Sequence, residues 1–314
     1  MNEWLNSYTF PLEAKFKDKK YAEKVYYSLI KELLANGTTT GLFFGSIHND
    51  ANLILAKICA KLGQRAFIGK VAMDNPDQTP DYYRDLNSQV ALEQTEIFIQ
   101  KMFEMQKQTS AEITPVITPR FVPSCTEETL QGLGQLAKKY DLPIQSHCSE
   151  SIWEDHYALE HYHLRDTEVL DKFGLLTDKS VMAHGTQLSD QDLNTFSSRK
   201  TAIAHCPISN IYFGNSVMRV QDAHQKNVKI GLGTDISGGF SPSLYRNMQQ
   251  SIMSSQILTE QGHENARISA ANAFYLATVG GANALHIKSG QIKSGFKADL
   301  QIVQDQYFNI SSNE

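Results

Sequence analysis

Short apolar runs alternate along this chain with longer stretches in which apolar residues recur every three or four positions. The runs are TTTGLFF (38–44), RAFIGKVAM (65–73), ITPVITPR (113–120), PIQSH (143–147), SVMAH (180–184), TAIAH (201–205) and KIGLGTD (229–235). Most are rich in Val, Ile, Thr or Phe and are continuously apolar, which predicts strands covered on both faces, as in a parallel sheet. The stretches between them predict helices at 21–34, 49–62, 81–106, 126–140 and 189–196. Within 49–62, Leu53, Leu55, Ala56, Ile58, Cys59 and Leu62 fall largely on one face. Thr126 followed by Glu127 and Glu128, and Ser189 followed by Asp190, supply N-caps with acids in the first turn. Asn36-Gly37 and Asn227-Val228 end helices just before strands.

Seven strand–helix units of this length predict an α/β protein with right-handed crossovers. A ring of eight would be the (β/α)8 barrel; seven strands are legible, the first of them after a helix. The tail changes character. Residues 272–285 read as a helix, and GQIKSGFKADLQIV (290–303) reads as a hairpin or two short strands. The expected division is therefore a barrel domain over 1–285 and a small β remnant over 286–314.

Composition adds exclusions. The 314 residues are 41% hydrophobic and 20% charged, ordinary for a globular protein. The net charge of −5 argues against a broad phosphate-binding surface, so no nucleic-acid partner is expected. No apolar run approaches the length of a membrane span. The start, MNEWLNSYTF, lacks the basic and apolar regions of a signal peptide. The four cysteines (Cys59, Cys125, Cys148, Cys206) form no CxxC, and a reduced, cytoplasmic protein is expected.

Ionisable residues gather where the strands end. Arg120-Phe121 follows the third run, His147 ends the fourth with Glu150 three residues on, His184 and His205 end the fifth and sixth, and Asp235 ends the seventh. Barrel chemistry sits at the C-terminal ends of strands. Histidine and carboxylate are ligands for zinc or another borderline divalent metal, and they carry protons near neutral pH. Each residue alone has a plainer reading, as a loop histidine, an N-cap or a surface ion pair. Five successive strands with an ionisable residue at the same end make a pattern. The one His-x-His, His161-Tyr162-His163, lies in a charged helical stretch where residues two apart diverge, so it reads as a solvated helix face.

QSHCSE (145–150), VMAHG (181–185), AIAHCPISN (202–210) and GLGTDISGG (231–239) resemble the amidohydrolase superfamily and, within it, the zinc-dependent guanine deaminases. YTFPLEAKF (8–16), NGTTT (36–40), TPRFVPSC (118–125) and ATVGGANAL (277–285) agree, in order, over nearly the whole chain. The resemblance implies a (β/α)8 barrel and hydrolytic deamination of guanine to xanthine and ammonia, with one divalent metal, zinc or else iron. It implies that His147 and Asp235 hold the metal and that Asp235 takes a proton from the attacking water. Glu150 would shuttle protons to the purine ring, and His184 would face water and substrate. Arg120 and Phe121 would grip guanine, alongside His147, Glu150 and His184. His205 falls outside the implied metal set.

The family's first-strand His-x-His and its N-terminal β-strands have no counterpart in this sequence. An incomplete barrel, a weaker metal site and little turnover are therefore expected, with exposed strand edges favouring a homo-oligomer, a dimer by expectation. The rival functions are a related deaminase or chlorohydrolase acting on another purine, a pterin or a triazine, and a non-catalytic purine-binding or interaction protein. A cytidine-deaminase fold is excluded because no P-C-x-x-C occurs. A dinucleotide fold is excluded because no GxGxxG follows a strand.

Overall fold

The computed structural model describes residues 2–214 and 216–302. A helical segment of irregular pitch covers residues 2–17, and Asp18 then caps the first long helix, its carboxylate accepting from the amides of Lys20 and Tyr21. The units that follow are α1 (Lys19–Ala35), β1 (Thr40–Phe44), α2 (Asn49–Leu62), β2 (Arg65–Ala72), α3 (Ser88–Gln108), β3 (Ile113–Pro119), α4 (Glu127–Tyr140) and β4 (Ile144–Cys148). Next come α5 (Ile152–Tyr162), α6 (Asp166–Lys172), β5 (Ser180–His184), α7 (Asp190–Arg199), β6 (Ala202–His205), α8 (Pro207–Gly214), α9 (Val220–Gln225), β7 (Lys229–Leu232) and α10 (Leu244–Glu260). The last helical stretch is α11 (Ala270–Tyr275), which runs on through a π turn to Ala284.

All seven expected strands are present, parallel, and paired in chain order from β1 to β7. The sheet curls into an incomplete barrel. Gln145 on β4 reaches across the interior and donates to the carbonyl of Phe43 on β1 at 2.8 Å and to Thr118 Oγ1 on β3 at 3.0 Å. Gly69 on β2 leaves room for that bridge, since a Cβ there would stand 1.7 Å from Thr118 Oγ1. Outside the sheet, Ile68 and Ile113 bury against Ile30, Leu33, Leu55 and Phe98 of α1, α2 and α3. At the other end of the sheet, Ile144, Met182 and Ile203 bury against Leu130, Leu133, Leu170 and Phe196 of α4, α6 and α7. Continuous apolar strands are what this two-sided covering requires.

Two expectations are corrected. The third helix, expected from residue 81, begins at Ser88, where the Asn87 side chain accepts from the Val90 amide at 2.9 Å. Residues 73–87 instead form a loop that buries Tyr83 and closes over Lys70, whose ammonium meets both Asp85 oxygens at 2.6 Å. The expected hairpin at 290–303 shows no strand in its described part, and Val303 with the rest of the expected β remnant lies outside the described residues. Ile292 and Ile302 are 94% and 96% exposed, so the alternating apolar residues meet no partner strand. Polar ties hold this segment instead: Asp299 pairs with Arg65 at 2.8 Å, and Lys297 pairs with Glu112. Among the described residues, no helix is long and apolar enough to cross a membrane.

Candidate functional site

Because every strand is parallel, all seven C-terminal ends share one rim, and the candidate residues stand along it. Pairing of β4 with β5 sets Cys148 beside His184 and His147 beside Ala183. Three rim residues other than glycine take left-handed backbone conformations: Ser149 (φ 49°), His184 (φ 77°) and Asp235 (φ 49°). Each costs about 1–3 kcal/mol and persists because its surroundings over-determine it, a pattern that concentrates at functional sites. Gly238 is small for a related reason, since a Cβ there would lie 2.7 Å from Asp235 Oδ2.

His147, Glu150 and His184 each place one ligand atom within 4.8 Å of the others. The two imidazoles stack nearly parallel, with centroids 5.3 Å apart. His147 Nδ1 lies 2.7 Å from the carbonyl of Arg120. That partner only accepts, so Nδ1 carries the proton and Nε2 keeps its lone pair for the site. Phe44 and Phe121 flank the ring at 4.4 Å and 6.3 Å. Burial, followed by the charges of His184 and Arg120, pushes His147 well below the ordinary imidazole range and keeps it neutral.

His184 is set the same way. Its Nδ1 donates to Asn210 Oδ1 at 2.9 Å, leaving Nε2 3.6 Å from Glu150 Oε1. Burial is the largest influence on His184 and lowers its pKa. The carboxylates of Glu150 and Asp235, with the Asn210 bond, outweigh it and leave the pKa raised. Glu150 is shifted upward, by burial first and then by Asp235, against the pull of His184 and Arg120. A carboxyl group whose pKa moves toward neutrality can give and take protons. Asp235 is near enough for its charge to act on Glu150 and His184, yet it stands outside the 4.8 Å group.

Two neutral or switchable imidazoles and a carboxylate are the donor set of a borderline divalent metal. The fit is local as well as chemical. His147 has its outer nitrogen fixed by a carbonyl, the usual support for a metal-binding imidazole. His184 is supported in the same way, its Nδ1 on Asn210 Oδ1 leaving Nε2 toward the cluster.

Arg120 is placed differently from a free substrate clamp. Its Nη1 and Nη2 donate to the two oxygens of Glu13 at 2.6 Å and 3.0 Å, and the guanidinium lies 5.1 Å from the ring of Phe10. Both Glu13 and Phe10 come from the YTFPLE stretch, which the pair ties to the end of β3. Phe121 is buried against Leu5, Phe10, Val71, Met73 and Tyr83, with Trp153 at 5.8 Å. His205 lies outside the cluster. It is buried, with Nε2 3.1 Å from Ser251 Oγ, and its pKa is pushed down to about 3 by burial and then by His184. His161 and His163 are both exposed, at the end of α5.

Sequence reasoning did not single out Glu13, Asn210, Glu154 or Asp166, all of which touch the candidate residues or the loop that carries them. Asn210 lies inside the quoted AHCPISN motif, which was its only signal. Glu13 likewise lies inside the quoted YTFPLEAKF stretch, while Glu154 and Asp166 have no motif of their own.

The model of the Amidohydrolase family matches residues 1–314, so the chain belongs to that family. It is 42% identical to guanine deaminase of Mus musculus over 305 residues, covering 96% of this chain and 66% of the mouse protein. It is 33% identical to guanine deaminase of Escherichia coli (strain K12), covering 96% of this chain and 67% of that protein. Among solved structures, guanine deaminase from C. acetobutylicum with guanine bound in its active site superposes with a TM-score of 0.87 at 39% identity, covering 93% of this chain and 69% of that one. The chain thus spans about two thirds of the length of these curated relatives.

Proposed function

From that membership we propose that this chain carries the guanine-deaminating site of an amidohydrolase, converting guanine and water to xanthine and ammonia. The observation that supports this most is the convergence of His147, Glu150 and His184 on one point of the rim, in a chain resembling guanine deaminases nearly end to end.

Under this reading His147 and Asp235 hold the metal, zinc by family expectation, with His184 beside them. When bound, such an ion lowers the pKa of water toward neutrality. Asp235 accepts the proton that the attacking water releases. Glu150, raised in pKa and 3.6 Å from His184, delivers a proton to the ring nitrogen as C2 becomes tetrahedral, and then assists departure of ammonia. His184 faces the water and stabilises the developing charge. Phe121 and Phe44 wall the site with rings against which a planar purine can lie. Arg120 has two N–H groups on Glu13, and its remaining donors suit the purine carbonyl.

The same reading divides the chain at residues 285 and 286 into barrel and side-domain remnant. It includes a homodimer in the cytoplasm, in keeping with four free, buried cysteines. The test is ammonia release from a panel of guanine, adenosine, a pterin and a triazine, run beside calorimetric binding of guanine. Guanine is expected to lead in both. Preferential release from another ring would overturn the substrate, and guanine binding with no release from any ring would overturn the chemistry.

A further inference from the structure

Glu150 is the middle residue of the three-residue loop Ser149–Ser151 between β4 and α5. The backbone N–H and C=O groups of Ser149 and Glu150 are all held. The Ser149 amide donates to Asp166 Oδ2 at 2.9 Å, and the Glu150 amide donates to Glu154 Oε2 at 2.6 Å. The Ser149 carbonyl accepts from the Gln187 amide at 2.9 Å, and the Glu150 carbonyl accepts from Thr186 Oγ1 at 2.8 Å. Thr186 and Gln187 lie two and three residues after His184, so the same contacts tie the loop to the end of β5.

Glu154 is the informative member. Ser151 caps α5, its hydroxyl accepting from the Glu154 amide at 3.4 Å. In a capping box the third helical residue would return its carboxyl to the cap's own amide. Glu154 instead reaches one residue further back, to Glu150. Helix capping alone does not call for that displacement. It also places Glu154 in full burial, 2% exposed, with Oε1 unpartnered and Asp166 close by.

We propose that Glu154 is a positioning residue for Glu150: its side-chain Oε2 accepts from the Glu150 amide and thereby aims the Glu150 carboxyl at His184. Thr186 fixes the other side of the same peptide. The role needs an acceptor at Oε2 and not a negative charge. Burial, then Asp166 and Glu150, raises Glu154 well above the usual carboxylate range. Glutamine keeps the shape of the side chain and an accepting oxygen where Oε2 stands.

The inference rests on the proposed role of Glu150, and its test separates the two. In Glu154→Ala, amide hydrogen exchange at residues 149–151 should quicken at least tenfold while the core strands keep their protection. The turnover number for guanine should fall at least tenfold, with KM within threefold. Glu154→Gln should restore both readouts to within threefold of the starting protein. Thr186→Val, which keeps shape and removes the donor, should reproduce the local exchange effect should Glu154→Ala fail to fold. Unchanged exchange at 149–151 in Glu154→Ala or Thr186→Val would overturn the inference, as would a Glu154→Gln variant as defective as the alanine one. Local exchange that responds as stated in a protein that never deaminates guanine would leave the positioning standing and remove the guanine reading alone.

Discussion

The ends of β5 and β6 are written almost alike. One strand closes with Met182-Ala183-His184, the other with Ile203-Ala204-His205, and both histidines are 1% exposed on the same rim. Their neighbours make them opposites. His184 has an amide oxygen on Nδ1 and two carboxylates within electrostatic reach, and its affinity for protons rises despite burial. His205 has a serine hydroxyl on Nε2, an unpartnered Nδ1 and no carboxylate among its influences, and its pKa falls to about 3. The lesson is that a strand-end histidine is made reactive by what the next elements bring to it. For His184 these are Asn210 on α8 and Glu150 after β4.

Substitution offers the widest separation of the two. His184→Asn should lower deamination by about 10²–10⁴-fold, the usual worth of a proton-handling group. His205→Asn should leave turnover within a few-fold and cost stability by about 1–3 kcal/mol, as for a lost buried hydrogen bond. Paired assays of ammonia release and thermal melting would decide, and exchanged outcomes would reverse the comparison.

A second contrast lies between this rim cluster and the clamp on Arg120. Glu13→Gln leaves a buried guanidinium without its carboxylate. Breaking such a pair costs roughly 3 kcal/mol, to be read as a shift in denaturant midpoint. The same variant should loosen the YTFPLE stretch from β3, and an unchanged midpoint would show that Arg120 does not depend on Glu13.

The smallest effect is one of pH. A histidine held neutral by folding, with its folded pKa depressed to about 3, contributes stability that is fully present above the unfolded value near 6.5. That contribution is lost progressively as pH falls toward the folded pKa, because the unfolded chain binds the proton first. Between pH 6.5 and 5 the loss from His205 is about 2 kcal/mol. His205→Asn should flatten the stability profile by that amount, whereas His184→Asn should not, since the raised pKa of His184 gives the opposite slope.

Sequence reading reached the strands because their signal is local. Each is a short, continuously apolar run, and the sheet covers each on both faces. It also noted His147, Glu150, His184 and Asp235 at or shortly after strand ends, and a parallel sheet sets all those ends along one rim. It could not see that Arg120 would be met by Glu13, a contact 107 residues apart. Nor could it see that residues 81–87 would be claimed by Lys70 and the burial of Tyr83 instead of extending α3. The hairpin expected at 290–303 failed for a related reason. Alternation alone reads as strand, but a strand also needs a neighbour to pair with, and the described part of that segment has none.

The order of strands in the sheet is the order of strands in the chain, with no exchange at any step. A polypeptide laid down this way closes one modest loop at a time, each new unit docking on the one just formed. That keeps the entropy of loop closure low. Each strand therefore stands beside its neighbour in the chain, and Asp235, the last rim contributor, follows the seventh of them.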